Sequence, residues 1–138
     1  MAAYNKFQAF VENLAEKVHN LGADALTIAL TNTAPVATNS VIADITQISY
    51  TNLSSRLITT TSSAQTTGVY KLVLVDLVLT STGGATGPFR YVVLFNDTPA
   101  APLDPLIAWY DYGSAITLNA GETLTIDFDA ANGVLQIS

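Results

Sequence analysis

His19 is the only histidine in this 138-residue chain, and there is no cysteine. Any mechanism built on an imidazole base must use this one residue. Cysteine nucleophiles, disulfides and cysteine-ligated zinc are excluded outright. No G-x-S-x-G elbow or comparable nucleophile turn accompanies the histidine. The plainer reading places His19 near the end of a helix, by the negative end of its dipole. Carboxylates are the next candidates. Asp127 and Asp129 share one face of an alternating strand, and with Asp97 or Asp111 they could supply hard oxygen ligands to calcium. No EF-hand loop or Asp-rich repeat surrounds them, so the expectation is that they solvate and blunt a strand face. A glycosidase pair would need a deep aromatic-lined cleft, which so small a domain seldom builds. Trp109, Tyr110 and Tyr112, with Tyr91 and Phe89, could form a sugar-binding platform; the competing and favoured reading is core and interface packing. Gly83-Gly84-Ala85-Thr86-Gly87 lacks the lysine and the following helix of a phosphate loop. The expectation is a protein that is not an enzyme, with no catalytic, cofactor-binding or metal-ligating residues and no cofactor.

Composition narrows the class further. Charged residues make up 12% of the chain, about half the average for soluble domains, so Thr, Ser, Asn and Gln must supply the wet surface. Hydrophobic residues reach 49%, the opposite of a disordered composition. Five Lys and Arg against eleven Asp and Glu leave a net charge of -6 and argue against a nucleic-acid partner. The first twenty residues carry Lys6, Glu12, Glu16 and Lys17 rather than the uninterrupted apolar run of a signal peptide. The longest apolar stretch, 72–79, is interrupted by Asp76 and too short to span a bilayer, so no membrane partner is expected. A protein made in the cytoplasm follows as the expectation.

Phe7, Phe10, Val11, Leu14, Val18 and Leu21 fall at helical spacing, which predicts an amphipathic helix over 5–21, with Asn5 as N-cap and Gly22 as its left-handed stop. If that helix docks on a sheet, Leu14→Ala costs about 2–5 kcal/mol. From Gly22 onward β-branched and aromatic residues dominate, with turn residues roughly every ten positions. Strands are expected at 25–31, 41–48, 56–61, 69–80, 89–96, 105–112, 114–118, 122–129 and 133–137. Leu124, Ile126 and Phe128 alternate with polar neighbours, and Asn132-Gly133 would turn 133–137 back as their hairpin partner. A bulge near Val75 is needed to bring Leu77 and Leu79 into phase with Leu72 and Leu74. Val73, Val75, Val92 and Leu94 exceed what one helix can cover, which predicts self-association. Loops are expected at 59–68 and 81–88. Strands without intervening helices give the fold class: one mainly β domain over 1–138, an antiparallel sandwich or barrel at 25–137 with one N-terminal amphipathic helix.

The chain also resembles a group of small virion proteins of tailed bacteriophages. The resemblance is carried by Tyr4-Asn5-Lys6-Phe7, Phe10 to Glu16, Leu30 to Pro35, Gly87 to Asp97, Leu124 to Asp129 and Asn132-Gly133. It implies a β-rich head decoration (cement) protein on the surface of the phage particle. Such a protein would bind the major capsid protein and self-associate, with a trimer suited to local threefold axes. A tail or adaptor component, or a carbohydrate- or receptor-binding module, is the alternative. The resemblance carries over no site residues.

Overall fold

A computed structural model describes residues 2–138 and is mainly β, with antiparallel sheets. The elements in chain order are β1 (Asn5–Lys6), α1 (Ala9–Ala15), β2 (Leu26–Thr31), β3 (Thr60–Thr66), β4 (Val69–Leu74), β5 (Leu77–Thr80), β6 (Thr86–Asn96), β7 (Leu106–Leu118), β8 (Thr123–Ile126) and β9 (Leu135–Ile137). Among the described residues they form sheets ordered β1-β7-β6-β2, β3-β4-β9 and β5-β8.

The first sheet is apolar on both faces because both are covered. Ile28, Leu30, Val92, Leu94 and Ala108 face a core shared with Leu72, Leu74, Leu79, Phe128 and Leu135 of the other sheets. Ala29, Val93, Phe95 and Leu106 face a second cluster closed by Phe7 and Ile45. The outer edge of β2 is covered as well. The N–H of Ile28 donates to Arg56 O at 3.1 Å, that of Ile48 to Leu30 O at 3.0 Å, and that of Ile58 to Leu26 O at 2.9 Å. Val92 and Leu94 are therefore satisfied within the chain, at 7% and 0% exposure, and give no argument for a partner. Val75 remains 47% exposed.

The helix is shorter than its periodicity suggests. It runs over Ala9–Ala15 rather than 5–21. Asn5 is no N-cap; it pairs with Trp109 in β1, and its side-chain amide donates to Trp109 O at 3.3 Å. Phe7 belongs to the second cluster, so its apolar side chain matches the helical stripe by coincidence of spacing. The stop comes at Lys17, whose φ is 66°, and not at Gly22. The N–H of Val18 donates to Asn13 O at 2.8 Å and that of Lys17 to Leu14 O at 3.4 Å, the paired bonds of a Schellman termination. Docking on the sheets rests on Phe10, which is 4% exposed; Leu14 is only partly buried against the same core.

Several strands also shift. The segment 41–48 holds a 3-10 turn at Ile42–Asp44, where the Asp44 carboxylate accepts from the N–H groups of Ser40 and Val41 at 2.8 and 3.2 Å. Local side-chain bonding of this kind displaces a ladder, and the three-residue spacing turns Ile42 and Ile45 to the same cluster. The strand expected at 56–61 lies at 60–66, in a Thr- and Ser-rich run with no hydrophobic alternation to mark it. The expected loop at 59–68 is consequently the arm of a hairpin, and 86–88 of the other loop belongs to β6. Between β4 and β5 the chain breaks at Val75-Asp76 and changes sheets, where a bulge was expected. Asp76 Oδ1 secures that break by accepting from Phe128 N at 2.8 Å. Segments 105–112 and 114–118 run through Gly113 as one strand, β7.

The Asn132-Gly133 turn stands, but its strand goes elsewhere. β9 pairs with β4 (Leu72↔Leu135), while β8 pairs with β5 (Leu79↔Leu124). Gly133 has φ 78°, and a Cβ there would meet Leu72 O at 2.6 Å. Both the left-handed backbone and the close approach exclude a side chain. Gly133→Ala should lower stability by about 1–3 kcal/mol in urea titration, and a loss under ~0.5 kcal/mol would show the turn to be freely adjustable.

Candidate functional site

Three residues of the aromatic group meet in one cleft. In β7, Ala108, Tyr110 and Tyr112 alternate to the side of the main core. Phe89 and Val92 of β6 lie beside them, and Leu124, Ile126 and Phe128 close the opposite wall. The cleft encloses about 270 Å³ and is lined mostly by apolar surface, with Thr125 and Asp127 among its lining residues. This volume lies just under the range of drug-sized sites and matches a single ring or one anchoring side chain.

The register explains which aromatics are selected. Leu94 opposes Ala108 while Phe95 opposes Leu106, so Ile107 is an extra residue that shifts the phase of β7. Downstream of it, Trp109 turns to the second cluster, where its ring lies 4.6 Å from that of Phe7. Tyr91, opposite Asp111, lies under the Arg90 guanidinium at 5.4 Å. The five aromatics thus make no single platform. Tyr112 is 55% exposed and Phe89 is 1% exposed, which makes one wall of the cleft adjustable and its floor fixed. Burial pushes the Tyr110 phenol well above its ordinary range, and the neighbouring Tyr4 phenol up to about 12. Both rings therefore stay neutral near pH 7 and act as apolar bodies with a hydroxyl.

The carboxylates are dispersed. Asp129 accepts from the N–H groups of Ala131 and Asn132, each at 2.9 Å, and the Asn132 backbone bond holds its carboxyl below the usual range. It is a turn-forming residue. Asp111 takes a two-point bond from Arg90, Nε to Oδ1 at 2.8 Å and Nη2 to Oδ2 at 3.0 Å, which lowers its carboxyl. Among the described residues no three His, Asp or Glu side chains come together as a metal-binding group. Asp97 does approach another carboxylate, Asp104, whose carboxyl is raised first by burial and then by that neighbour.

His19 is misplaced by the helical reading. It lies beyond the end of α1, is 5% exposed, and rests 5.1 Å from the Phe10 ring. Its Nδ1 lies 3.1 Å from Asn96 Nδ2, which also donates to Asp24 Oδ2 at 2.6 Å. Asn96 Oδ1 accepts from Thr98 N at 3.1 Å. His19 Nε2 is buried without a partner among the described residues. Burial lowers the imidazole pKa from 6.5 against the pull of Asp24, and the neutral ring accepts the Asn96 amide at Nδ1. No sequence pattern marks this cluster, because its members come from the segment after α1, the approach to β2 and the end of β6.

Comparison with known proteins finds no family model that matches the chain, no matching curated protein and no matching solved structure. Fold and cleft together define a mainly β, antiparallel protein with a small aromatic-lined cleft. Among the described residues no helix is long and apolar enough to cross a membrane.

Proposed function

We propose that this is a non-enzymatic structural protein of a tailed-phage virion, a capsid decoration protein that bridges subunits of the major capsid protein. Its scaffold is one β-sandwich domain over 1–138. The observation that carries the reading is the exposed apolar surface: Val36, Leu57, Val75, Val78, Leu103 and Ile137 are each 45–64% exposed in a chain with few charges. Such side chains gain most where a partner covers them. The resemblance to phage virion proteins supports the same assignment. Self-association as a homo-oligomer belongs to this proposal, with a trimer fitting threefold positions of a capsid lattice. Candidate contact regions are the β3–β4 hairpin and the turn at 81–85. With few charges to use, attachment should depend weakly on salt, and the -6 charge serves solubility.

A protein that binds only the assembled particle stabilises it by mass action. Particles stripped of the protein should therefore rupture at a lower temperature than decorated ones, as read by release of packaged DNA. Equal rupture temperatures would overturn the cementing role.

The cleft supports a second reading, a carbohydrate- or receptor-binding module that takes one ring against Phe89, Tyr110 and Tyr112. Trp109 faces the other cluster, so calorimetry is the suitable readout. Polysaccharide titration should give heat with the parent protein and lose it with Tyr112→Ala; no heat with either rejects this reading.

A further inference from the structure

The turn Thr67-Gly68, with φ of 51° and 82°, closes the β3–β4 hairpin with two residues and sets its hydrogen-bond phase. Thr66, Ala64 and Ser62 direct their backbone groups to β4, so those of Gln65 and Ser63 point away from the sheet. Among the described residues no backbone or side-chain group bonds to the N–H of either, and β3 has no strand on that side. From Ser62 to Thr66 the register is regular; the one irregularity, between Thr60 and Ser62, lies at the far end. Other edges are protected differently. β2 is covered by 48–58, β8 and β9 are four and three residues long, and the free length of β7 includes Asp111 and lies against a β6 with register shifts. The β3 edge has none of these devices, and residues 57–70 contain no Asp, Glu, Lys or Arg.

We propose that β3 pairs antiparallel with β3 of a second copy of this chain, about a twofold axis at Ala64. In that register Ser63 stands opposite the partner's Gln65, and Gln65 opposite the partner's Ser63. Each of these pairs exchanges two N–H···O bonds, which satisfies every outward backbone group of the regular edge. The self-complementarity selects a second copy. So does charge: two chains of -6 can approach closely along a segment that carries none. Ser62, Ala64 and Thr66 are small enough to meet across the axis without clash. The pairing turns the sheet β3-β4-β9 into six continuous strands. It is a small contact of the weak class, below about 1,200 Å², and gains weight where copies are held close together. The inference rests on the edge geometry and not on the capsid assignment, and a twofold edge contact coexists with threefold grouping in one lattice.

The absence of cysteine makes the test clean. Opposed residues of a non-hydrogen-bonded pair have Cβ atoms about 4.5–5.5 Å apart, close enough for a disulfide to form with little movement. Purified Ala64→Cys should cross-link under mild oxidation about tenfold faster than Ala120→Cys, a thiol placed in an exposed turn. Ser63→Pro removes an outward N–H while sparing the bonds to β4, and in the Ala64→Cys background it should return cross-linking to the Ala120→Cys rate. Gln65→Pro gives the same reading from a second site, and circular dichroism melts verify that each variant is folded. Cross-linking of Ala64→Cys no faster than Ala120→Cys, or unaffected by a folded proline variant, overturns the proposal. No particle takes part in this experiment, so its failure leaves the decoration reading standing, and failure of the rupture experiment leaves the edge pairing standing.

Discussion

Phe7→Ala is expected to lower stability by about 3–5 kcal/mol, the cost of emptying a fully buried aromatic site. Phe7 is 0% exposed and lies among Ala29, Ile45, Val93, Phe95 and Leu106, on the face of the first sheet away from the main core. Among the described residues no larger element backs that face: what covers it is Phe7 itself and the irregular segment around Ile42 and Ile45. Little can collapse inward to refill the space, which places the loss toward the upper end. For a chain of this length the melting temperature should fall by about 10–17 °C. Trp109 supplies an independent signal. It is the only tryptophan, it is partly buried, and its ring is 4.6 Å from Phe7. Its emission should shift to the red in folded Phe7→Ala, whereas Phe7→Leu should keep most of both stability and emission. A loss below about 1.5 kcal/mol with unchanged emission would mean that the N-terminal segment is not anchored here.

A second expected result is acid lability centred on His19. Its folded pKa lies below the ordinary 6.5 because burial disfavours the cation, with Asp24 opposing. The unfolded chain therefore binds the proton first as pH falls. Stability is level above about pH 6.5 and is lost below it, until the folded-state pKa is passed. One proton sets the steepest slope at about 1.4 kcal/mol per pH unit. Protonation would also place a hydrogen on Nδ1, facing the Asn96 amide, which already donates there and to Asp24. Asp44, Asp111 and Asp129 have lowered carboxyls and lose their contributions only at more acid pH, through the carboxylate range. The raised carboxyl of Asp104 acts in the opposite sense in that lower window. Urea titrations between pH 7.5 and 5 isolate the histidine. His19→Leu should flatten the profile in this window, and an unchanged slope in the variant would assign the lability elsewhere.

What the residues reveal of this architecture depends on whether the signal is local. Leu26–Thr31, apolar apart from Thr27 and Thr31, and the unbroken apolar core of β6 lie between turn residues, and both strands are where the pattern puts them. The 5–21 stripe fails because Phe7 and Phe10 serve different clusters, and period alone does not distinguish a helix from two unrelated burials. β3 has no apolar alternation, since its inward residues Ser63 and Gln65 lie past the margin of the core, and only its pairing with β4 makes it a strand. For the site, the alternation of Tyr110 and Tyr112 with Ala108 is legible, whereas the extra residue Ile107, which parts Trp109 from Ile107's own face, is set by the opposing strand. The cluster of His19, Asn96 and Asp24 joins residues 72 and 77 positions apart and leaves no local trace.

The pairing of Asn5 with Trp109 bears on how the chain is born. At synthesis rates of about 5–20 residues per second, β1 waits on the order of 5–20 s for the strand it joins, with further delay inside the exit tunnel. Until then Phe7 has no Trp109 to rest on, and for most of that interval β2 is without its pairing neighbour β6. The β3–β4 hairpin, closed by two residues, is complete long before. During that interval the nascent protein carries a finished hairpin whose outer strand has no charge and a bare edge, and neighbouring ribosomes on one message would present many copies of it at once. Slower translation past residue 74 would lengthen that interval and favour premature contacts between nascent chains.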